Sequence, residues 1–508
     1  MLCIIGSQCS VEPVSKVTLK TTRKILCGFA FVIFLTTPAF AESNIRLRPE
    51  IQLNESSLTL VGAVQLAESK YPQILKQQAE LRAAKRNVTL QKVKEYNPAA
   101  LLSYQQADAT HNRLTQTLFG SAVLPTTPGP GPDNVRFGAD AFSAAGFIID
   151  WAPIDFGLHK ARINYSKAEM HLASAHYDLT VLDVTVQAAA SFLDALIMKE
   201  QVAVAIANVQ RFADFSRVVH AQVDAGLKAG ADASLADSQL ANAKNDLIRA
   251  RLNYELALAE LAFRVGIGGS SVEINPGGIS KLTQPDDPQR DSPRFTNHPL
   301  TIAKQSIVNL RLANRKVLEK EYYPKFRWLG GINLRGTTFK TNRGDVPAPG
   351  VSGIFPTVPN WNVGMVIDFP FFEIIRIQAE KKVVDEQISS AQQSYDLAMQ
   401  QLKAEDVQAR ARVKASLELA ANMPIQVQAA SQAAQQAQAR YEAGLATVAQ
   451  VAEANQILAD SRVKEAVTNV GVWKALLANA AVHGNLRPFL GAANQATGSS
   501  TINKTGTE

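Results

Sequence analysis

Cysteine is nearly missing from this chain: three in 508 residues, at Cys3, Cys9 and Cys27. Beyond residue 41 there is therefore no disulfide, no thiolate metal ligand and no cysteine to lipidate. No run of 18 apolar residues occurs beyond that point either, so no spanning helix is expected. Also absent are H-E-x-x-H, G-x-S-x-G, a P-loop and G-x-G-x-x-G. His171 and His176 stand about 140° apart around a helix, a poor arrangement for sharing a metal. No catalytic, cofactor or metal site is expected. With no nucleotide site, the chain draws no energy of its own.

Strong charge is lacking as well. The formal charge of +7 falls to +4 once four Lys/Arg and one Glu of residues 1–41 are set aside. That residual argues against nucleic acid as a partner. Residues 1–41 are expected to be a secretory signal. Lys16, Lys20, Arg23 and Lys24 precede the apolar run Ile25 to Leu35, and Ala39-Phe40-Ala41 offers a cleavage site.

What the sequence does contain, it contains twice. Asp224-Ala225-Gly226-Leu227 leads through Ala-rich sequence to Gly266. Glu442-Ala443-Gly444-Leu445 leads likewise to Gly484, and both glycine intervals are 40 residues. Upstream, Pro153 stands 73 residues before Gly226 and Pro370 stands 74 before Gly444. Tyr71-Pro72 opens a stretch ending at Glu95-Tyr96-Asn97-Pro98, and His298-Pro299 opens one ending at Glu321-Tyr322-Tyr323-Pro324. A duplication of this size sets the architecture. The expected segments are a signal (1–41), an N-terminal extension (42–57), a first repeat (58–275), a linker (276–295), a second repeat (296–484) and a disordered, Gly/Ser/Thr/Asn-rich tail (485–508).

From Gly157 to Ala225 the pattern is helical for 69 residues, a rod of about 100 Å. Leu179, Leu182, Val186, Ala189, Leu193 and Leu196 step by three and four. On the returning helix, Leu240, Leu247, Tyr254 and Leu261 step by sevens. Such seams face a partner helix, and their alanines let it come close. Pro424 interrupts the corresponding helix of the second repeat and predicts a kink.

Between the helices lie short alternating runs at 101–109, 143–151, 325–335 and 361–369, around Pro/Gly-rich loops at 121–134 and 341–360. Phe326, Trp328, Ile332 and Leu334 alternate with Lys325, Arg327, Asn333 and Arg335. Phe147, Ile149 and Trp151 alternate with Gly146 and Asp150, and Trp361, Val363, Met365 and Ile367 with Asn362, Gly364 and Asp368. A transmembrane barrel strand has this pattern, and so does a half-buried soluble hairpin. Four strands cannot close a barrel, so in a membrane several chains must pool them. Trp151, Trp328 and Trp361 are the expected lipid-facing aromatics.

The run Arg440-Tyr441-Glu442-Ala443-Gly444-Leu445-Ala446-Thr447-Val448-Ala449-Gln450-Val451, then Ala454-Asn455-Gln456, resembles the TolC family of outer-membrane efflux and secretion channels. So does the turn from Ala225-Gly226-Leu227 to Asp232, and the likeness extends over about 58–484. The fold it implies is mainly α with a small β part. Each protomer carries duplicated antiparallel helical hairpins and two β-hairpins. A homotrimer would form an α-barrel and a twelve-stranded transmembrane β-barrel, with the linker and C-terminal region as a belt. The implied role is a passive, gated exit duct for drugs, toxins or proteins, in a tripartite efflux pump or type I secretion system. Its implied partners are outer-membrane lipid, a periplasmic adaptor and an inner-membrane pump of RND, ABC or MFS type. Its implied place is the Gram-negative outer membrane, with a long periplasmic portion.

The resemblance makes the two glycine turns the periplasmic tips, with Ala225, Gly226, Leu227, Ala443, Gly444 and Leu445 docking the adaptor. The family's acidic aperture positions fall on Gln450 and Glu453, so one carboxylate is an amide here. Asp232 and Tyr441 occupy positions that help latch the closed state. Some members carry an arginine where this chain has Ala446, so an Arg–Asp latch is not carried over. The competing reading from composition alone is a periplasmic structural coiled coil, or an adaptor-binding protein without a pore.

Overall fold

The computed structural model describes residues 57–109, 140–279, 295–337, 355–356 and 358–502. The signal, the 121–134 loop and most of the extension, of the linker and of the 341–360 loop lie outside the described residues. So do residues 503–508 of the tail.

The duplication appears as two runs of helix, hairpin and long helical pair. The first run is α1 (Leu60–Lys70), α2 (Pro72–Tyr96), β1 (Ala99–Ala109), β2 (Asp140–Ile154), α3 (Leu158–Asp224) and α4 (Gly230–Arg264). The second is α5 (Pro299–Glu321), β3 (Lys325–Thr337), β4 (Val358–Asp368), α6 (Glu373–Glu442) and α7 (Val448–Val482), followed by α8 (Arg487–Ile502). Both α2 and α5 begin on a proline, whose fixed φ and missing N–H cost nothing at a first helical turn.

The expected 69-residue helix is α3, at 67 residues. It packs against α4, α2, α5 and α7. Among the described residues only α3 contains a window apolar and long enough to cross a membrane, but 56% of that window is buried by neighbouring helices. It is the core helix of the fold. Its mid-section, with Val184, Ala188, Ala189, Phe192, Leu193 and Leu196, joins α1, the end of α4 and the C-terminal half of α7 in the main core.

The segments flanking the first repeat meet at that level. Leu58 pairs with Ile274 in a parallel bridge, Leu58 N–H donating to Glu273 O at 2.7 Å. Lys199 Nζ on α3 donates to Ile274 O at 2.9 Å. The tail contributes too, which corrects the expectation of disorder over 485–502. Leu486, Phe489 and Ala493 are buried, and Phe489 meets Trp473 edge-on with ring centroids 6.2 Å apart. Apolar residues at helical spacing outweigh the polar composition around them.

On α6 the buried seam runs Val413, Ala420, Val427, Ala434, Tyr441 in steps of seven, in register on both sides of Pro424. The helix is continuous there, although the proline withholds the N–H its turn would donate. The apolar residues left uncovered lie on other faces: Val383, Leu397, Val407 and Leu419 on α6, and Ile248, Leu252 and Leu256 on α4. On α4 these three fall on successive turns, and a contiguous exposed apolar face of that kind marks association.

The strands form one antiparallel sheet in chain order, β1-β2-β3-β4. Its register brings Leu102, Phe147, Ile332 and Trp361 into one cross-strand row, and Trp151, Trp328 and Met365 into another. All of these are exposed, Trp361 at 79%. The opposite face carries Asp150, Lys325, Arg327, Asn333, Asn362 and Asp368 by the same registers. The sheet thus has one aromatic face and one face that carries most of its charged residues, with Leu101, Ile148, Leu329 and Val366 among them. β4 is exposed along its whole length, and both β1 and β4 are open edges.

Sheet and helices are joined by a charged knot. At the β2–α3 turn, Phe156 and Gly157 take positive φ (53° and 95°), and Asp155 Oδ1 accepts the Gly157 N–H at 3.1 Å. His159 Nε2 donates to Ala152 O at 2.8 Å, while its Nδ1 meets the Glu95 carboxylate at the end of α2. Burial opposes its charge, but Glu95, the Ala152 carbonyl and Asp155 together raise its pKa above the usual value. Arg162 then bridges Glu95 and Glu321, the equivalent last-turn residues of the two repeats, at 3.6 Å each.

Candidate functional site

The two helical pairs turn by the same device. After α3, Gly226 takes φ 72°, its N–H donating to Val223 O at 2.9 Å and that of Leu227 to Gln222 O at 2.9 Å. After α6, Gly444 takes φ 77°, its N–H donating to Tyr441 O at 2.9 Å and that of Leu445 to Arg440 O at 2.7 Å. This pair of bonds closes a helix on a left-handed glycine. The leucine after such a glycine usually folds onto the helix it ends; here Leu227 and Leu445 are 73% and 70% exposed. A Cβ at either tip glycine would meet nothing within 4 Å. Glycine is needed there for its backbone alone, and the tips are small and open.

The two turns differ in how the returning helix starts. Thr447 caps α7 by accepting the Gln450 N–H, while the Gln450 side chain accepts the Thr447 N–H at 3.0 Å. The structure therefore commits Gln450, the expected aperture amide, to its own helix terminus. Glu453, one turn further on, is exposed. α4 starts at Ala229 with no side-chain cap.

Behind the turns the two pairs are locked together. Tyr441 is 1% exposed and sits in a cluster with Phe212, Phe215, Val219, Ala233, Ala236, Val448 and Val451. Its ring meets Phe215 edge-on at 5.2 Å between centroids, and Lys228 Nζ stands 5.1 Å above it. Burial first, then the nearby Asp232 carboxylate, raise the phenol's pKa. Its hydroxyl has no hydrogen-bond partner among the described residues. Asp232 thus lies near Tyr441, but packing rather than a hydrogen bond holds Tyr441. Within the first pair, Asp237 on α4 takes hydrogen bonds from Ser216 Oγ (2.9 Å) and His220 Nε2 (3.0 Å) on α3. Those two bonds hold its carboxyl below the usual range.

Sequence reasoning missed Phe215, Lys228 and the Ser216–His220–Asp237 bridge. The first two act across about 220 residues of chain on Tyr441, and no local pattern marks such a pairing.

Residues 297–469 match the model of the outer membrane efflux protein family. No curated protein is matched by sequence. Among solved structures, CusC superposes with a TM-score of 0.67 at 14% identity, covering 84% of this chain and 92% of that one. The CmeC outer membrane channel of Campylobacter jejuni gives 0.67 at 14%, covering 84% and 88%. The outer membrane protein VceC of Vibrio cholerae gives 0.65 at 16%, covering 84% and 96%. At these identities the shared property is the fold.

Proposed function

We infer that this chain, an outer membrane efflux protein by its matched second repeat and by its fold, works as a passive exit duct through the outer membrane. The observation that carries this reading is the two-faced sheet with two open edges. An aromatic face suits lipid and a polar face suits a water-filled lumen. Open edges are not tolerated in hydrocarbon, so β4 of one copy must pair with β1 of the next. Three copies pooling four strands each would close a twelve-stranded barrel. The exposed apolar faces of α4 and α6 would then be covered between neighbours, and the long helices would line a periplasmic tunnel.

In this reading the tips at Ala225-Gly226-Leu227 and Ala443-Gly444-Leu445 meet a periplasmic adaptor, with Leu227 and Leu445 as its apolar contacts. An inner-membrane pump supplies the energy. Glu453 forms the aperture ring, and Tyr441 with Asp232 holds the tips closed. Drugs, toxins or proteins are the cargo classes such a duct would pass.

The test is extraction and mass. The mature protein is expected to need detergent for release and to run as a trimer in it. A monomer released by aqueous buffer would overturn the reading in favour of a soluble coiled coil.

A further inference from the structure

The polar face of the sheet carries a charge cluster at the end nearest the helices. Arg327 on β3 reaches both neighbouring strands. Its Nε donates to Asp150 Oδ1 on β2 at 3.2 Å, its Nη2 to the second Asp150 oxygen, and its Nη1 to Asp368 Oδ2 on β4 at 3.4 Å. All three side chains stay open to solvent, at 38%, 31% and 49% exposed. Lys325 lies on the same face, directly across from Asp368. The group of four is therefore charge-neutral, and it is neutral because of its two cations.

We propose that Arg327 sets the electrostatic character of the barrel's inner mouth: by neutralising Asp150 and Asp368 it keeps that level of the lumen open to solutes of either sign. This rests on the reading of the polar face as a water-filled lumen. Structurally, one guanidinium spanning three strands is a staple. Electrostatically, removing it leaves a net negative charge per copy, repeated around the ring. The walls of such a mouth are low-dielectric, and the uncovered Asp150 and Asp368 carboxylates, two strands apart at about 4.8 Å per strand, reinforce one another within each copy. Cations would then be concentrated and anions repelled. A neutral mouth leaves discrimination to the tips and to whatever docks on them.

The chain itself supplies a clean probe. After signal removal it holds no thiol, and Gly364 lies on the polar face of β4 beside this cluster. A Cβ there meets nothing within 4 Å, so Gly364→Cys adds one thiol without strain. The experiment compares how fast that thiol reacts with a cationic (trimethylammonium) and an anionic (sulfonate) methanethiosulfonate, in the trimer, with and without Arg327→Gln. The ratio of the two rates cancels changes in thiol ionisation and reports the local potential. The cation-to-anion ratio is expected to rise roughly tenfold in Arg327→Gln. Asp368→Asn, which leaves the arginine in place, is expected to move the ratio the other way. That second variant keeps the test decisive if loss of the staple prevents assembly.

Equal ratios across variants in a protein that conducts would overturn the role of Arg327 and leave the duct standing. A thiol untouched by both charged reagents but labelled by a lipid-soluble maleimide would place this face in lipid, overturning inference and duct together.

Discussion

Arginine at position 361 is expected to stop assembly in the membrane while leaving the helices folded. Trp361 stands mid-sheet in the row Leu102–Phe147–Ile332–Trp361, on the aromatic face. A charge facing lipid near the bilayer midplane costs about 2–4 kcal/mol per copy. A closed ring of copies incurs that cost at every strand set. Arginine at Gly364 is the matched control, on the same strand but on the polar face with open space around it. The readout is the detergent-extracted trimer: lost or strongly reduced for Trp361→Arg, retained for Gly364→Arg. Charges at Trp151 and Trp328, nearer the helical end, should cost less, because the penalty falls toward the interface. Equal tolerance at 361 and 364 would mean the aromatic face meets water or protein instead of lipid.

The second large effect belongs to Tyr441. Truncating a buried aromatic to alanine costs about 3–5 kcal/mol, including the cavity left behind. Here the cavity would open between the two helical pairs, where Tyr441 packs on Phe215 and under Lys228. Tyr441→Ala is expected to loosen the tips and raise single-channel conductance several-fold. Tyr441→Phe should behave as wild type or hold the tips slightly tighter, since the hydroxyl is enclosed without a partner and such a group costs about 1–3 kcal/mol. A latch built on a tyrosine hydrogen bond predicts the opposite, with Phe nearly as open as Ala. The two substitutions together distinguish packing from hydrogen bonding as the closing force.

Much of this architecture is legible in the chain. The doubled glycine turns, the prolines that open α2 and α5 and the heptad steps are local signals with a fixed physical meaning, and each falls where the helices begin, end or pack. The alternation around Trp328 and Trp361 marks the strands and their two faces. Three things are harder to see. The tail from Leu486 looks disordered by its polar composition, although Leu486, Phe489 and Ala493 carry a buried helical stripe. Gln450, at an aperture position by its distance from Gly444, also completes the capping signature Thr447-x-x-Gln450. The third kind has no local signal at all. Arg327 meeting Asp150 and Asp368, Phe215 meeting Tyr441, and Arg162 joining Glu95 to Glu321 depend on strand register and helix docking. Those are fixed only once distant segments pack.

The duct itself is tested most directly by single-channel recording of the detergent-extracted protein in a planar bilayer, with Glu453→Ala beside wild type. The expected result is a small, stable, cation-preferring conductance whose size and preference change when the carboxylate is removed, as a ring of three carboxylates at a constriction requires. A folded oligomer that never inserts or never conducts would contradict the account.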